Sequence, residues 1–174
     1  MVQALVERDP QLRLAVSATT RAQRPGDVDG VHYWFLTRAD FDRRIAEGEF
    51  LEWVDYVGNR YGTLRSELER IQREGGVPLL ELELEGALAV KEEVSNAVTI
   101  FVDAPLEELE RRLRDRATES AGEIGERIAL ARRQKELAHR FDYVVENDSR
   151  ERAVAECAAI IEHELNGAAT MVSR

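Results

Sequence analysis

Two arginines carry the densest chemical signal in the sequence. Arg21 and Arg24 lie in the segment SATTRAQRPGD, where a predicted strand that includes Ser17 ends and a Pro-Gly turn begins. Two guanidinium groups at this spacing, beside hydroxyl residues, can form a fork that grips a phosphate through paired N–H donors. An exposed loop with solvated arginines explains the same pattern and is favoured for these two residues alone, because surface arginines are common.

A second group of polar residues lies in a β-rich stretch. The segments FLEW and GNRYGT predict a bent hairpin with a Gly-Asn turn, which brings Glu52, Tyr61 and Thr63 to one surface. A carboxylate there can accept the two N–H groups on the edge of a guanine, and a tyrosine hydroxyl can reach a phosphate. Ordinary cross-strand pairing with Glu52 facing water explains these residues at least as well when they are taken by themselves.

Alternating acids follow an apolar run in the segment VPLLELELEG. If the predicted strand Val77–Glu83 continues that far, Glu81 and Glu83 lie on one face at its carboxyl end, where open α/β sheets bind ligands. Such carboxylates can order the water molecules of Mg²⁺ or contact a ribose or base. A strand that runs out into solvent is the competing interpretation, but it leaves the leucines that alternate with the acids unexplained.

A second set of arginines lies on two helical patterns joined by a corner at residues 117–122. Helical spacing places Arg112 and Arg116 on one face at positions i and i+4, and Arg127 follows on the next helix. In phosphoryl transfer, such arginines neutralise charge on the transferring group when a lid closes. A solvated charged face paired with neighbouring glutamates is favoured for these arginines alone.

Composition excludes several classes of protein. The chain has 174 residues, which predicts one domain, and its 24 basic and 34 acidic residues give a net charge of −10, which argues against wrapping of a nucleic-acid backbone. No apolar run approaches the roughly 20 residues that cross a bilayer. The single cysteine, Cys157, and the absence of a leader-like segment favour a cytoplasmic location. The three histidines lack metal-ligand spacing, so no protein-held metal is predicted.

Short β-rich runs that alternate with longer amphipathic patterns must position these side chains. This alternation predicts an α/β domain with buried parallel strands flanked by helices. The tail, Asn166–Arg174, is predicted to be frayed. The predicted strands are Leu12–Thr19, Val31–Leu36, Phe50–Val57, Val77–Glu83, Ala97–Ala104 and Tyr143–Val145, and the predicted helices are Val2–Arg8, Arg38–Glu47, Glu107–Arg116, Ile124–Arg140 and Glu151–Leu165.

Taken together and in this order, the motifs resemble the guanylate kinase family from Val2 to about Leu165. The matching segments are VSATTRAQRPGDVDGVHYWFL, FLEW, GNRYGT, LLELELEGA, ERRLRDRATES and DYVVEND. The resemblance implies an α/β fold with a P-loop NTPase-type parallel sheet flanked by helices. It also implies a single domain over residues 1–174, with a β-rich GMP-binding part within about 31–83 and a helical lid at about 112–127.

The resemblance implies a role for each group of candidate residues. The substrates would be GMP and ATP, with Mg²⁺ accompanying ATP, and the protein would be a monomer or homodimer. Guanine would be read by Ser17, Glu52 and Thr63, and the GMP phosphate would be held by Arg21, Arg24, Tyr33 and Tyr61. Two family aspartates near the nucleotide correspond to Glu81 and Glu83, the arginines of the lid and catalytic centre to Arg112, Arg116 and Arg127, and the adenine contact to Asn147.

The sequence departs from the family pattern at several positions. Asp27 replaces a glutamate, Arg60 replaces the first tyrosine of Tyr-Tyr-Gly, and Glu85 replaces a glutamine. The family also opens with a strand and a glycine-rich phosphate loop, whereas no G-x-x-x-x-G-K-[ST] motif occurs in this chain. We interpret this as a start set downstream of the true one, and we expect the loop to be encoded just upstream in the same frame.

Without that strand and loop, three consequences are expected. Two buried strands of the sheet would lack a hydrogen-bond partner. The 174-residue chain would have little or no kinase activity, because the loop supplies most of the electrostatic stabilisation of the ATP phosphates. It could still retain affinity for GMP.

Two other functions remain open at this stage. One is a catalytically dead module that binds GMP or a phosphorylated protein partner through the former GMP site. The other is a kinase for a different nucleoside monophosphate. The pair Glu52 and Thr63 fits guanine better than adenine, which offers a donor where guanine offers an acceptor.

Overall fold

Helices and strands alternate along the chain in a computed structural model that describes residues 1–107, 110, 111 and 121–172. The side chains of residues 121–123, 126, 127, 130 and 168–172 lie outside that description. The chain divides into two units, Val2–Ser95 and, with Met1, Asn96–Arg174. No helix in the described part of the chain combines the length and apolar character of a membrane span.

The first unit contains two small sheets and four helices. The elements are α1 (Val2–Arg8), β1 (Leu12–Leu14), β2 (Ala18–Thr19), β3 (Trp34–Phe35), α2 (Arg38–Ala46), β4 (Phe50–Tyr56), β5 (Asn59–Leu64), α3 (Arg65–Arg73), β6 (Val77–Leu79) and α4 (Leu84–Glu93). Strands β1 and β6 pair in parallel, while the other four strands form a mixed sheet in the order β3-β2-β5-β4. In that sheet β2 runs parallel to β3 and antiparallel to β5.

A small apolar core supports the mixed sheet. Helix α2 begins at an N-cap, Thr37, whose side chain accepts a hydrogen bond from the Asp40 amide, as expected of a threonine at this position. The helix then presents Phe41, which is fully buried and stacks on Phe50 with ring centroids 4.3 Å apart. Ala18 and Leu64 complete the buried cluster. Helix α2 therefore packs against one face of the sheet that carries the candidate residues.

The β4–β5 hairpin turns one residue earlier than predicted. Tyr56 pairs with Asn59, so the two central residues are Val57, with φ 47°, and Gly58, with φ 75°. Two positive φ angles are typical of a type I′ turn, whose twist matches that of the strands it joins. The predicted Gly-Asn turn is wrong because the cross-strand register, and not the best local turn pair, decides which residues lie at the tip.

In the part of the second unit that the structure describes, one parallel strand pair is accompanied by two long helices. Strand β7 (Ile100–Asp103) pairs with β8 (Tyr143–Glu146), and the helices are α5 (Ala121–Glu136) and α6 (Arg150–Val172). A short 3₁₀ helix covers Ala138–Arg140. The buried thiol of Cys157 lies on α6, and burial raises its pKa.

Several sequence-based boundaries are corrected by the structure. The strands predicted to form one parallel sheet form two separate parallel pairs. Among the described strands, β6 pairs with β1 alone and β7 with β8 alone. The predicted strand Leu12–Thr19 is divided between two sheets, because residues 15–17 carry the chain from one to the other. The predicted frayed tail is wrong through residue 172, since α6 continues to Val172.

Candidate functional site

A buried acid pairs with a buried threonine across the β4–β5 hairpin. Glu52 lies directly opposite Thr63 in the register, and the two residues are only 6% and 1% exposed. Burial raises the pKa of the Glu52 carboxyl, while hydrogen bonds from the Thr63 side chain and backbone oppose that rise. The Oε1 atom of Glu52 has no hydrogen-bond partner among the described residues. An acceptor in this state is suited to an external N–H donor, because a buried polar atom without a partner costs free energy.

A glycine on helix α4 sets the space beside this carboxylate. Gly86 is buried in the first turn of α4, and a Cβ atom added there would lie 2.6 Å from Oε2 of Glu52. Any larger residue would therefore have to displace the acid. Sequence analysis did not identify Gly86 as a site residue, and the available signal was a glycine within a predicted ligand-binding segment.

Two tyrosines continue the face that carries Glu52 and Thr63. Tyr61 is two residues before Thr63 on β5, so alternation places both side chains on the same face. The rings of Tyr33 and Tyr61 meet edge to face with centroids 6.0 Å apart. Burial raises the pKa of Tyr33, and the neighbouring Tyr61 and Glu81 raise it further. The predicted shared surface of Glu52, Tyr61 and Thr63 is present.

Arg21 packs over these aromatic rings. Its guanidinium carbon lies 5.3 Å from the centre of the Tyr33 ring and 5.5 Å from that of Phe35, distances at which a cation is attracted to a ring face. Its Nη2 atom also pairs with Oδ2 of Asp27 at 2.9 Å. The guanidinium is therefore oriented before any ligand binds.

A tight turn carries the second arginine of the pair. Asp27 N donates to the Arg24 carbonyl at 3.0 Å, and Gly26 has φ 91°, a conformation that favours glycine at the third turn position. The Asp27 carboxylate accepts from the Arg24 amide at 2.8 Å. This bond, together with Arg21, lowers the pKa of Asp27. The Arg24 side chain is exposed, so the predicted two-arginine fork is not closed in this structure.

The remaining candidates of the first unit occupy the ends of its strands. Ser17 precedes β2, and its carbonyl accepts a hydrogen bond from the Trp34 amide at 2.9 Å. Strand β6 ends at Leu79, so the prediction that Glu81 and Glu83 lie on a strand is wrong. Both acids are exposed, and Glu83 is the residue that caps the start of α4. The strand stops because the chain turns into that helix.

Arg60, the departure from the family pattern, faces away from the site. Its register partner is Asp55, and its side chain contacts both Asp42 and Asp55. The guanidinium lies 5.2 Å from the centre of the Trp53 ring. Because Arg60 and Tyr61 are neighbours on one strand, they point to opposite faces.

The second unit carries the other predicted residues. Asn147 directly follows β8, is half-buried, and its amide donates to the Asp103 carbonyl at 2.7 Å. The carboxylate of Asp103 pairs with Lys135 at 2.9 Å. Arg127 belongs to α5, but its side chain lies outside the described residues, as do Arg112 and Arg116 altogether.

No metal centre is apparent in the part of the chain that the structure describes. Within those residues, no group of three or more His, Cys, Asp or Glu side chains is placed to hold a metal ion.

The chain is similar to proteins of one family. A family model described as guanylate kinase matches residues 1–164. A guanylate kinase from Symbiobacterium thermophilum is 45% identical over 159 residues, covering 91% of this chain and 75% of the relative. One from Rubrobacter xylanophilus is 46% identical over 162 residues, covering 92% of this chain and 85% of the relative. The crystal structure of guanylate kinase from Anaplasma phagocytophilum matches with a TM-score of 0.77 and 30% identity, covering 93% of this chain and 78% of that one.

Proposed function

The chain belongs to the guanylate kinase family, and from this premise we propose that the face of Glu52, Thr63, Tyr33 and Tyr61 binds GMP. The protein is an enzyme of that family, a kinase whose reaction transfers a phosphoryl group from ATP to GMP.

The observation that carries the proposal is the buried Glu52 carboxylate with its open Oε1 atom. Guanine presents two N–H donors side by side on one edge, and a carboxylate can accept both. The Thr63 hydroxyl next to Glu52 can serve the base as well, with Ser17 at the end of the adjoining strand. Adenine offers no matching pair of donors, so it would leave the buried acid without a partner.

The phosphate of GMP would be held by the arginines and tyrosines of the same unit. Arg21 is oriented by Asp27 and by two aromatic rings, and guanidinium groups bind phosphate through two parallel N–H bonds. Arg24 is exposed on a rigid turn and can close onto the phosphate from the solvent side. Tyr33 and Tyr61 add hydroxyl donors, while Glu81 and Glu83 lie near the nucleotide at the end of β6.

The ATP side of the reaction would use residues of the second unit. Asn147 would contact the adenine, and Arg112, Arg116 and Arg127 would neutralise charge on the phosphoryl group as it transfers. Mg²⁺ supplies charge neutralisation when it accompanies ATP, and it is held mainly through phosphate oxygens in such reactions. No step proposed for this chain's own residues depends on where that ion binds.

The residues proposed to bind GMP all lie within the first unit, Val2–Ser95. GMP binding can therefore be measured apart from phosphoryl transfer.

Calorimetric titration of the 174-residue chain tests the proposal. GMP should bind, and AMP should bind at least about 100-fold more weakly because it cannot satisfy Glu52. Glu52→Gln should lose GMP binding, since the N–H₂ group of the glutamine side chain would face the N–H donors of guanine where an acceptor is needed. Equal affinity for GMP and AMP would contradict the assignment. Binding of a phosphorylated peptide with no binding of GMP would favour an interaction module instead.

A further inference from the structure

A buried carboxylate outside the predicted site joins three segments of the first unit. Glu67 lies on α3 and is only 4% exposed. Its Oε2 atom accepts a hydrogen bond from the Val16 amide at 3.1 Å, and its Oε1 atom accepts one from the Trp34 indole N–H at 3.3 Å. The Arg70 guanidinium completes the set at 3.0 Å. One side chain therefore satisfies donors from the β1–β2 connection, from β3 and from its own helix.

The two distant donors flank proposed GMP residues. Val16 immediately precedes Ser17, and Trp34 immediately follows Tyr33. The Trp34 amide also donates to the Ser17 carbonyl at 2.9 Å, so the two segments are bonded to each other as well as to Glu67. Glu67 thus holds the backbone just before Ser17 directly, and the segment just after Tyr33 through the Trp34 side chain.

The charge of Glu67 strengthens this arrangement. Burial by itself raises the pKa of the carboxyl, but hydrogen bonds from Arg70, the Val16 amide and Trp34 outweigh it and leave the pKa lowered. The carboxylate is therefore ionised at neutral pH, and ionised acceptors form stronger hydrogen bonds than neutral ones. Removing it would leave the Val16 amide and the Trp34 indole without this acceptor, which is costly in a buried place.

We propose that Glu67 is a positioning residue for GMP binding, which acts by holding Ser17 and Tyr33 at a fixed separation. The inference rests on the proposed function, because it assumes that these two residues contact GMP. It goes beyond that function in assigning part of the affinity to a side chain that touches no nucleotide.

The test compares Glu67→Gln with a control on the same helix. Glutamine keeps the size of the side chain but loses the charge and one of the two acceptor atoms. We expect Glu67→Gln to weaken GMP binding about tenfold by calorimetry, the scale of one lost hydrogen bond to a charged group. Ile71→Val, at a fully buried position of α3, should lower stability through a lost methylene yet change the dissociation constant less than about twofold.

A second variant keeps the test decisive if Glu67→Gln does not fold. Trp34→Phe removes the indole donor and leaves the carboxylate in place, and it should also weaken GMP binding. The loss of GMP binding free energy in the double variant should be smaller than the sum of the two single losses, because both substitutions break the same contact.

Each outcome decides one question. If the wild-type chain binds GMP and both Glu67→Gln and Trp34→Phe bind it equally well, the inference about Glu67 is wrong while the proposed function stands. If Ile71→Val loses as much affinity as Glu67→Gln, the loss follows stability and the inference is also wrong. If the wild-type chain does not bind GMP, both the proposed function and this inference fall.

Discussion

The carboxylate of Glu52 and the α-carbon of Gly86 are in such close contact that a methyl group on Gly86 would lie 2.6 Å from Oε2 of Glu52. One residue belongs to the hairpin and the other to the first turn of α4. The helix therefore acts as a wall that limits where the acid can point, and the position of the proposed guanine acceptor depends on both elements.

This contact predicts the effect of Gly86→Ala. The added methyl group must displace Glu52, so GMP affinity should fall by about tenfold or more, in keeping with the cost of misplacing one charged hydrogen bond. Gly167→Ala on α6 is the matched control, because a Cβ there meets none of the described residues within 4 Å. It should leave GMP affinity unchanged and raise stability slightly, as alanine does in helices. Calorimetry of both variants gives the comparison, and equal effects would contradict the role of the contact.

The raised pKa of Glu52 predicts a conflict between binding and stability. The folded state holds the proton of this acid more tightly than the unfolded state, whose reference pKa is 4.5. Stability from this group is therefore present below that value and is lost as pH rises through the folded-state pKa. Glu52→Gln removes this loss of stability. The variant should therefore melt at a higher temperature than the wild-type chain at pH 7, while its GMP binding disappears.

Melting curves at several pH values measure this effect. The difference between Glu52→Gln and the wild-type chain should grow as pH rises from about 4.5 toward neutrality, the range over which the unfolded acid ionises first. A variant that is less stable than the wild-type chain at pH 7 would show that Glu52 is a net stabilising group.

The turn of the hairpin predicts a stabilising substitution. Val57 has φ 47°, and it is 75% exposed, so a β-branched residue occupies a strained conformation without making compensating contacts. Val57→Asn should raise the free energy of unfolding by about 1 kcal/mol, because asparagine is preferred at this turn position. Chemical denaturation measures the change.

The control for this turn is another exposed valine. Val28 is 50% exposed, and within the described residues Val57 is the only residue other than glycine with a positive φ. Val28→Asn should therefore bring no gain. An equal gain in both variants would mean that the gain comes from replacing an exposed valine by a polar residue, and not from relief of backbone strain.

Arg60 and Tyr61 are neighbours on β5 that point to opposite faces, so substitutions at the two positions should affect GMP binding differently. Arg60 contacts Asp42, Asp55 and the Trp53 ring on the far side of the hairpin. Arg60→Tyr should change GMP affinity less than about twofold and lower stability by about 1 kcal/mol, because its carboxylate partners are exposed although the Arg60 side chain itself is mostly covered. Tyr61→Phe removes a hydroxyl on the site face and should weaken GMP binding severalfold. A larger loss of affinity in Arg60→Tyr than in Tyr61→Phe would contradict the register.

Local patterns in the sequence predicted the shared face but did not decide whether that face binds a ligand or faces water. Strands alternate with period two, so Glu52, Tyr61 and Thr63 could be placed on one surface from the hairpin pattern alone. The same pattern did not locate the turn at Val57 and Gly58. Turn chemistry favoured Gly-Asn, but the pairing of the whole hairpin outweighed that local preference.

Periodicity and spacing within short segments of the sequence therefore predicted the α/β class and the hairpin, and the resemblance of its motifs to one family predicted the residues of the proposed nucleotide site. Only the tertiary structure placed Gly86 against Glu52, Asp27 on Arg21, and Glu67 between Val16 and Trp34. Several of these contacts join residues far apart in the chain, and all of them depend on side-chain direction, which alternation and spacing do not specify. Packing decides which groups contact a buried acid, because the free-energy cost of an unsatisfied carboxylate depends on all the groups around it.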